Sequence, residues 1–121
     1  MEPVTMMIND VEYVRKDSYQ KKSEKLDGLD YVVIRADRAG VFAGYLKKKT
    51  KDEVELTKSR RIFYWDGAAS LSQLAMEGVS KPENCKFPCE IEEHTVLGVI
   101  EILETTEKAR KSIQGVSIWK E

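Results

Sequence analysis

Residues 31–57 read YVVIRADRAGVFAGYLKKKTKDEVELT. "YVVIRA" is rich in β-branched residues, and "VFAGYLKKK" follows after the turn "DRAG", where Gly40 can take a positive φ. "DEVELTKS" alternates, with Val54 and Leu56 on one face and Glu53, Glu55 and Thr57 on the other. "KKTKDE" is a polar hairpin link without glycine. With "RRIFYW" as a further run, the pattern predicts a four-stranded antiparallel meander.

Toward the C-terminus, "SLSQLAMEG" reads as a short helix. Ser70 is its N-cap, Gln73 stands at the capping-box spacing, and Leu71, Leu74 and Ala75 form the apolar stripe up to Gly78. "CKFPCEIEE" and "TVLGVIEILE" read as two more strands. "TTEKARKSI" is a last helix, capped by Thr105 or Thr106 and stopped by Gly115, and Trp119 in "VSIW" is expected to dock on the domain. Toward the N-terminus, Met7–Asp27 reads as a helix with Met7, Val11 and Val14 on one face, ended by Gly28. Between Arg15 and Lys25 it holds almost nothing apolar except Tyr19, so it would be a solvated arm or pack on another copy of the chain. The predicted class is α+β: an N-terminal helix and an antiparallel β-rich core with two short helices. Residues 1–28 form the arm and 29–121 a single β-rich ligand-binding domain.

Composition bounds the function. A chain of 121 residues suits one domain, and 41% hydrophobic with 34% charged residues excludes a disordered chain. No apolar run approaches the ~20 residues of a membrane span. "MEPVTMMIND" lacks a signal-peptide pattern, so the expected address is the cytosol. A net charge of −1 gives the whole molecule no polyanion-binding character. Locally the charge is uneven. Leu29–Phe63 carries nine Lys/Arg against five Asp/Glu, and Tyr64–Glu104 two against eight. That asymmetry suits either a solvated face or a basic lining for an anionic small molecule.

Catalytic signals are weak. Cys85 and Cys89 are four apart in "NCKFPCE", with only His94 nearby, which fits neither a metal site nor a redox C-x-x-C pair. They read as ordinary reduced cysteines. His94 is the only histidine and reads as a loop residue, and Ser70 lacks a nucleophile elbow. No metal and no cofactor is expected.

The segment Arg60–Ser72, "RRIFYWDGAASLS", holds the chemistry. In a strand, Arg60, Ile62 and Tyr64 share one face, and Arg61, Phe63 and Trp65 the other. Guanidinium groups grip phosphate oxygens, and aromatic rings stack on purine or ribose. Asp66 offers a carboxylate to hydroxyls. Gly67, Ala68 and Ala69 let a ligand approach the backbone, and the helix that Ser70 caps presents free N–H groups. Core packing is the competing reading of the same residues. Asn84 and Phe87 in "ENCKFP" suit either base recognition or a turn and a core position. Arg110 in "EKARKS" suits either an anion contact or a solvated helix face.

"VIRADRAGVFAGYL", "SRRIFYWDGAASLSQLAMEGVSKPENCKFP" and the "VIEILETTEKARKSI…VSIW" tail resemble the first type of phage Thoeris anti-defence protein. The resemblance runs from about Tyr31 to Trp119. It implies a sponge in the host bacterial cytoplasm that binds cyclic ADP-ribose isomers made by TIR-domain enzymes and does not degrade them. It implies a homodimer with pockets at the protomer interface. Some members form hexamers that also hold cyclic oligonucleotides of CBASS, and the N-terminal arm would serve that assembly. No membrane and no polymeric nucleic acid is implied as partner. The matching pocket positions are Arg35 or Arg38, Arg60 or Arg61, Trp65, Phe87 and Arg110, with Asn84 toward the base and Asp66, Ala68, Ala69 and Ser70 toward ribose and backbone. One face of the 60–65 strand must still serve as core, so only one of Arg60 and Arg61 is expected to meet ligand. The alternatives are a hydrolase of the same messenger and a structural or nucleic-acid-binding phage protein.

Overall fold

Tyr31–Ala36 is buried at five of its six positions in the computed structural model. An antiparallel strand that is apolar on both faces needs cover on both sides. The structure describes residues 6–8, 10–11 and 21–121. Its elements in order are β1 (Met6–Ile8), β2 (Asp10–Val11), β3 (Tyr31–Ala36), β4 (Gly40–Thr50), β5 (Glu53–Arg61), α1 (Leu71–Glu77), a 3-10 turn (Pro82–Asn84), β6 (Ile91–Val96), β7 (Val99–Glu104) and α2 (Glu107–Gly115). β1 and β2 pair with each other. The main sheet is antiparallel, in the order β6-β5-β4-β3-β7. The fold is α+β with a β-rich core.

The sheet cannot be flat. β6 and β7 lie on opposite edges, yet only Leu97 and Gly98 separate them. Five strands side by side are about 19 Å wide, and the step from Val96 to Val99 reaches about 10 Å. β4 adds a second constraint, because both of its ends abut the same link. Asp37 N–H donates to Gly98 O at 2.8 Å, and Val99 N–H donates to Asp52 O at 2.8 Å. The sheet therefore rolls into a partly open barrel.

Rolling gives each face its own core. The inner cluster is made by the strands alone: Val32, Ile34, Phe42, Val54, Leu56, Val96 and Val99 are its main members. On the outer face, Tyr31, Val33, Ala43 and Tyr45 meet Leu74 and Ala75 of α1, Ile113 of α2, and Ile62 and Phe87 of the connecting loop. Full burial of one such aliphatic side chain contributes about 1.5–3 kcal/mol.

A bulge in β5 decides which face each later residue meets. Thr57 pairs with Tyr45 and Arg60 with Ala43, so Lys58 and Ser59 both face Gly44. Lys58 has φ 51°. A Cβ at Gly44 would stand 3.1 Å from Ser59 Cα and from Thr57 O, so the bulge needs the missing side chain there. The extra residue reverses the strand's sidedness. Val54 and Leu56 point into the barrel, Arg60 points to the helix-covered side, and Arg61 lies over the ring of Phe42 in the inner cluster.

Helix ends follow the expected chemistry. Ser70 Oγ accepts from Gln73 N–H at 3.1 Å, and Gln73 Oε1 accepts from Ala69 N–H at 2.8 Å. Thr106 is the cap of α2, accepting from Ala109 N–H at 3.0 Å. Thr105 instead donates to Tyr31 O at 2.7 Å, and its hydroxyl lies 2.9 Å from Ser23 Oγ. Trp119 docks through its backbone N–H on Phe87 O at 2.9 Å, and its ring stacks on Phe63 with 5.2 Å between centroids.

Four expectations change. The helix over Met7–Asp27 is not formed where that span is described. Met6–Ile8 and Asp10–Val11 are paired strands, and residues 12–20 lie outside the described residues. Lys21–Leu26 is extended and tied to the domain: Ser23 N–H donates to Thr105 O at 3.0 Å, and Glu107 N–H to Lys21 O at 2.8 Å. Gly28 is no helix stop. Asp27 and Gly28 both have positive φ, 53° and 79°, and form a two-residue turn closed by Leu26 and Leu29. "RRIFYW" is no separate fourth strand. Its two arginines end β5, and Tyr64 makes only an isolated bridge to Lys86. The strand expected from Cys85 starts at Ile91.

Candidate functional site

The barrel opens at one end, between the β3–β4 turn and the β6–β7 link. There a cleft of about 440 Å³ is lined by Arg38, Phe42, Arg61, His94 and Leu97, with Asp37 as its one acidic side chain. Its size falls in the range of small-molecule sites, about 300–1,000 Å³. Arg61 is fixed by Nη1, which donates to Ala39 O at 2.8 Å, and by its seat 4.5 Å over the Phe42 ring. A cation on an aromatic face keeps its outward N–H groups free for an anion. Arg38 is exposed on the turn, and neither arginine forms an ion pair among the described residues.

His94 closes the floor. Its ring meets Phe42 edge-on at 5.0 Å, and Nδ1 lies 3.0 Å from Ser59 Oγ. Burial, reinforced by the Arg61 charge, pushes the imidazole below its ordinary pKa. The histidine is therefore neutral at physiological pH. Sequence reasoning passed over it as a loop residue. The signal that was available is the strand alternation of "IEEHTV", in which His94 and Val96 share the inner side.

The other sequence-derived candidates lie elsewhere. Arg60 is 3% exposed, and its three nitrogens donate to the backbone: Nε to Pro88 O at 2.9 Å, Nη1 to Ile113 O at 2.9 Å and Nη2 to Phe87 O at 3.1 Å. It is a structural clamp between β5, α2 and the 87–88 loop. Phe87 is fully buried beneath it, 5.4 Å from guanidinium carbon to ring centroid, and offers no face to a ligand. Arg110 forks onto Glu107 through Nε and Nη2 and donates to Gln114 Oε1 at 2.7 Å. Glu107 also accepts from Glu24 N–H at 2.7 Å. The guanidinium and that N–H hold the Glu107 carboxyl down at about 2. Arg35 sits on β3, outside the cleft, 4.0 Å from Glu101.

Trp65 through Ser70 form a self-contained loop. Trp65 Nε1 donates to Ala68 O at 3.2 Å, and Asp66 accepts from Asn84 Nδ2 at 2.9 Å. Gly67 has φ 94°, and a Cβ there would stand 2.5 Å from the backbone nitrogens of Ser80 and Lys81. The small residue admits the chain's own backbone, where a ligand had been expected. Ala68 packs against the core, and Ala69 and Ser70 serve the cap of α1. Cys85 is buried beside Asp66, and Cys89 is exposed; both are free thiols.

Residues 29–113 match the family described as Domain of unknown function (DUF6948). The chain belongs to that family. The DUF6948 match contains the whole rolled sheet, both helices up to Ile113 and every residue lining the cleft. Trp119 and the tail that stacks on Phe63 fall outside it. No curated protein and no solved structure matches the chain. Among the described residues no helix is long and apolar enough to cross a membrane, and no cluster of three His, Cys, Asp or Glu side chains is placed to hold a metal ion.

Proposed function

We infer that the chain is a non-catalytic binder of a small phosphorylated nucleotide, of the cyclic ADP-ribose-isomer type, acting as a phage anti-defence sponge in the bacterial cytoplasm. The observation that carries the reading is the meeting of Arg38 and Arg61 in one cleft, with Arg61 over the ring of Phe42. Two guanidinium groups suit a pyrophosphate, and the apolar floor of Phe42 and Leu97 suits a base or ribose face. The cleft takes two members of the arginine alternatives that the family resemblance raised. It takes none of the 65–70 loop, which is committed to its own hydrogen bonds.

A homodimer fits this reading. Leu97 is 65% exposed at the mouth, and a second copy covering it would enclose the ligand. Cyclic oligonucleotides held by a larger assembly remain part of the same proposal. A sponge works by slow release.

Hydrolysis of the same messenger is the second reading, and the Ser59–His94 contact of 3.0 Å favours it. Ser59 is 1% exposed, so its hydroxyl has no path to a ligand. One experiment separates the two. The chain is incubated with a cyclic ADP-ribose isomer and denatured by heat, and the supernatant is assayed. Intact messenger supports sequestration, and a linear product sinks it. A structural or nucleic-acid-binding role predicts no thermal stabilisation by the messenger, whereas a bound ligand must raise apparent stability.

A further inference from the structure

The Ser59–His94 pair fixes a proton. Ser59 is buried, and among the described residues its hydroxyl has one hydrogen-bond partner, His94 Nδ1 at 3.0 Å. A serine O–H must donate to something. If Nδ1 carried the imidazole proton, it would donate to Ser59 Oγ, and the serine hydrogen would be buried without an acceptor. Leaving a buried donor unsatisfied costs about 1–3 kcal/mol. The favoured arrangement is Ser59 O–H donating to Nδ1, which leaves the ring proton on Nε2.

We propose that His94 is the third donor of the cleft: held by Ser59 as the neutral Nε2–H tautomer, it offers one N–H to a phosphoryl oxygen beside Arg38 and Arg61. The inference rests on the nucleotide-binding reading for the site, and it adds the chemistry that the ligand must present there. That chemistry is an oxygen that only accepts, as in a pyrophosphate bridging two cations and one neutral N–H. Ser59 is a positioning residue in this scheme and never touches the ligand.

The surroundings hold the ring neutral. Arg61 and Ser59 face it from β5, Phe42 from β4, and Asp37 and Arg38 line the same cleft from the β3–β4 turn. On its own strand, Glu93 is held at Lys47, 3.4 Å away. Protonation would place a third positive charge beside the two arginines and would deprive the Ser59 hydrogen of its acceptor. A neutral donor keeps the cleft at two cations, so an anion gains a hydrogen bond without the ring paying to ionise.

The chain has one histidine, so its imidazole is a clean spectroscopic probe. Long-range ¹H–¹⁵N correlation of the full chain is expected to show Nδ1 as an unprotonated acceptor and Nε2 as protonated at pH 7. Ser59→Ala is expected to mix the two tautomers while the rest of the amide spectrum stays folded. Titration with inorganic pyrophosphate and, separately, with a cyclic ADP-ribose isomer is expected to move the Nε2 resonance. His94→Phe keeps the ring against Phe42 and loses the donor. It is expected to weaken binding about tenfold, or about 1.4 kcal/mol. His94→Gln returns an N–H near Nε2 and is expected to recover most of that loss. A protonated Nδ1 in the wild type overturns the proposal, as does unchanged binding in His94→Phe or the failure of both probes to bind. If pyrophosphate binds at Nε2 and the cyclic nucleotide does not, this donor stands and the messenger assignment fails. If the cyclic nucleotide binds without disturbing His94, the assignment stands and this donor fails.

Discussion

Arg60 and Arg61 are adjacent in the chain and belong to two different regions of the molecule. The helix-covered side uses its arginine as mortar: three backbone carbonyls from two segments converge on one guanidinium. The barrel mouth leaves its arginine half-committed, with one bond to Ala39 O and a seat on Phe42. A cation with every donor spent on the backbone cannot bind anything else, and a cation with spare donors at a cleft can. The residue type is the same. What differs is the number of carbonyls within reach.

Substitution should separate the regions cleanly. Arg60→Met removes the clamp and strands three carbonyls, two of them on the buried loop and one on α2. It is expected to destabilise the fold by about 3–5 kcal/mol, read as a lower urea midpoint. Arg60→Lys should recover little, because an ammonium cannot reproduce the fork. An unchanged midpoint would erase the distinction between the two arginines. Arg61→Met should do the opposite, shifting stability by at most about 0.5 kcal/mol, as exposed sites do. It should weaken binding of the cyclic nucleotide by about 30-fold, measured by calorimetry.

A smaller effect sharpens the comparison through pH. The Glu107 carboxyl on the helix side is held at about 2 against an ordinary 4.5, chiefly by Arg110 and then by Glu24 N–H. A carboxyl with a lowered folded-state pKa adds stability that is complete above about 4.5 and lost as pH falls toward 2. Glu107→Gln is expected to flatten that acid limb in thermal melts. Arg61→Met should leave the limb in place. Equal limbs in the wild type and Glu107→Gln would place the acid sensitivity elsewhere.

Much of the fold was legible in local pattern. The alternation of Val54 and Leu56, the β-branched run at Tyr31–Ile34 and the Ser70–Gln73 capping box each report on a few neighbouring residues, and each element formed where it was expected. Where its span is described, the N-terminal helix gives way for a local reason that was also legible. Asp27-Gly28 is a hairpin signal, and it outranks a helix stop when no apolar stripe precedes it. The rolling of the sheet was not legible, because it depends on β6 and β7 reaching opposite edges. The site suffered most. The pattern set Arg60 and Arg61 on opposite faces without saying which face meets the cleft, and the bulge at Lys58 decides it. Gly44 was the visible hint, a glycine inside an otherwise well-formed strand. The inward position of His94 was legible in the alternation of "IEEHTV", but its hydrogen bond was not, since Ser59 lies 35 residues away.

The bulge at Lys58 also has a genetic meaning. Loss of that single codon would restore strict alternation along β5 and leave Ser59 alone opposite Gly44. Arg60 would still stand opposite Ala43 and Arg61 opposite Phe42, so each would keep its side. A lineage could shed the bulge through one in-frame deletion and keep the cleft, whereas straightening the strand with all its residues in place would swap the two arginines.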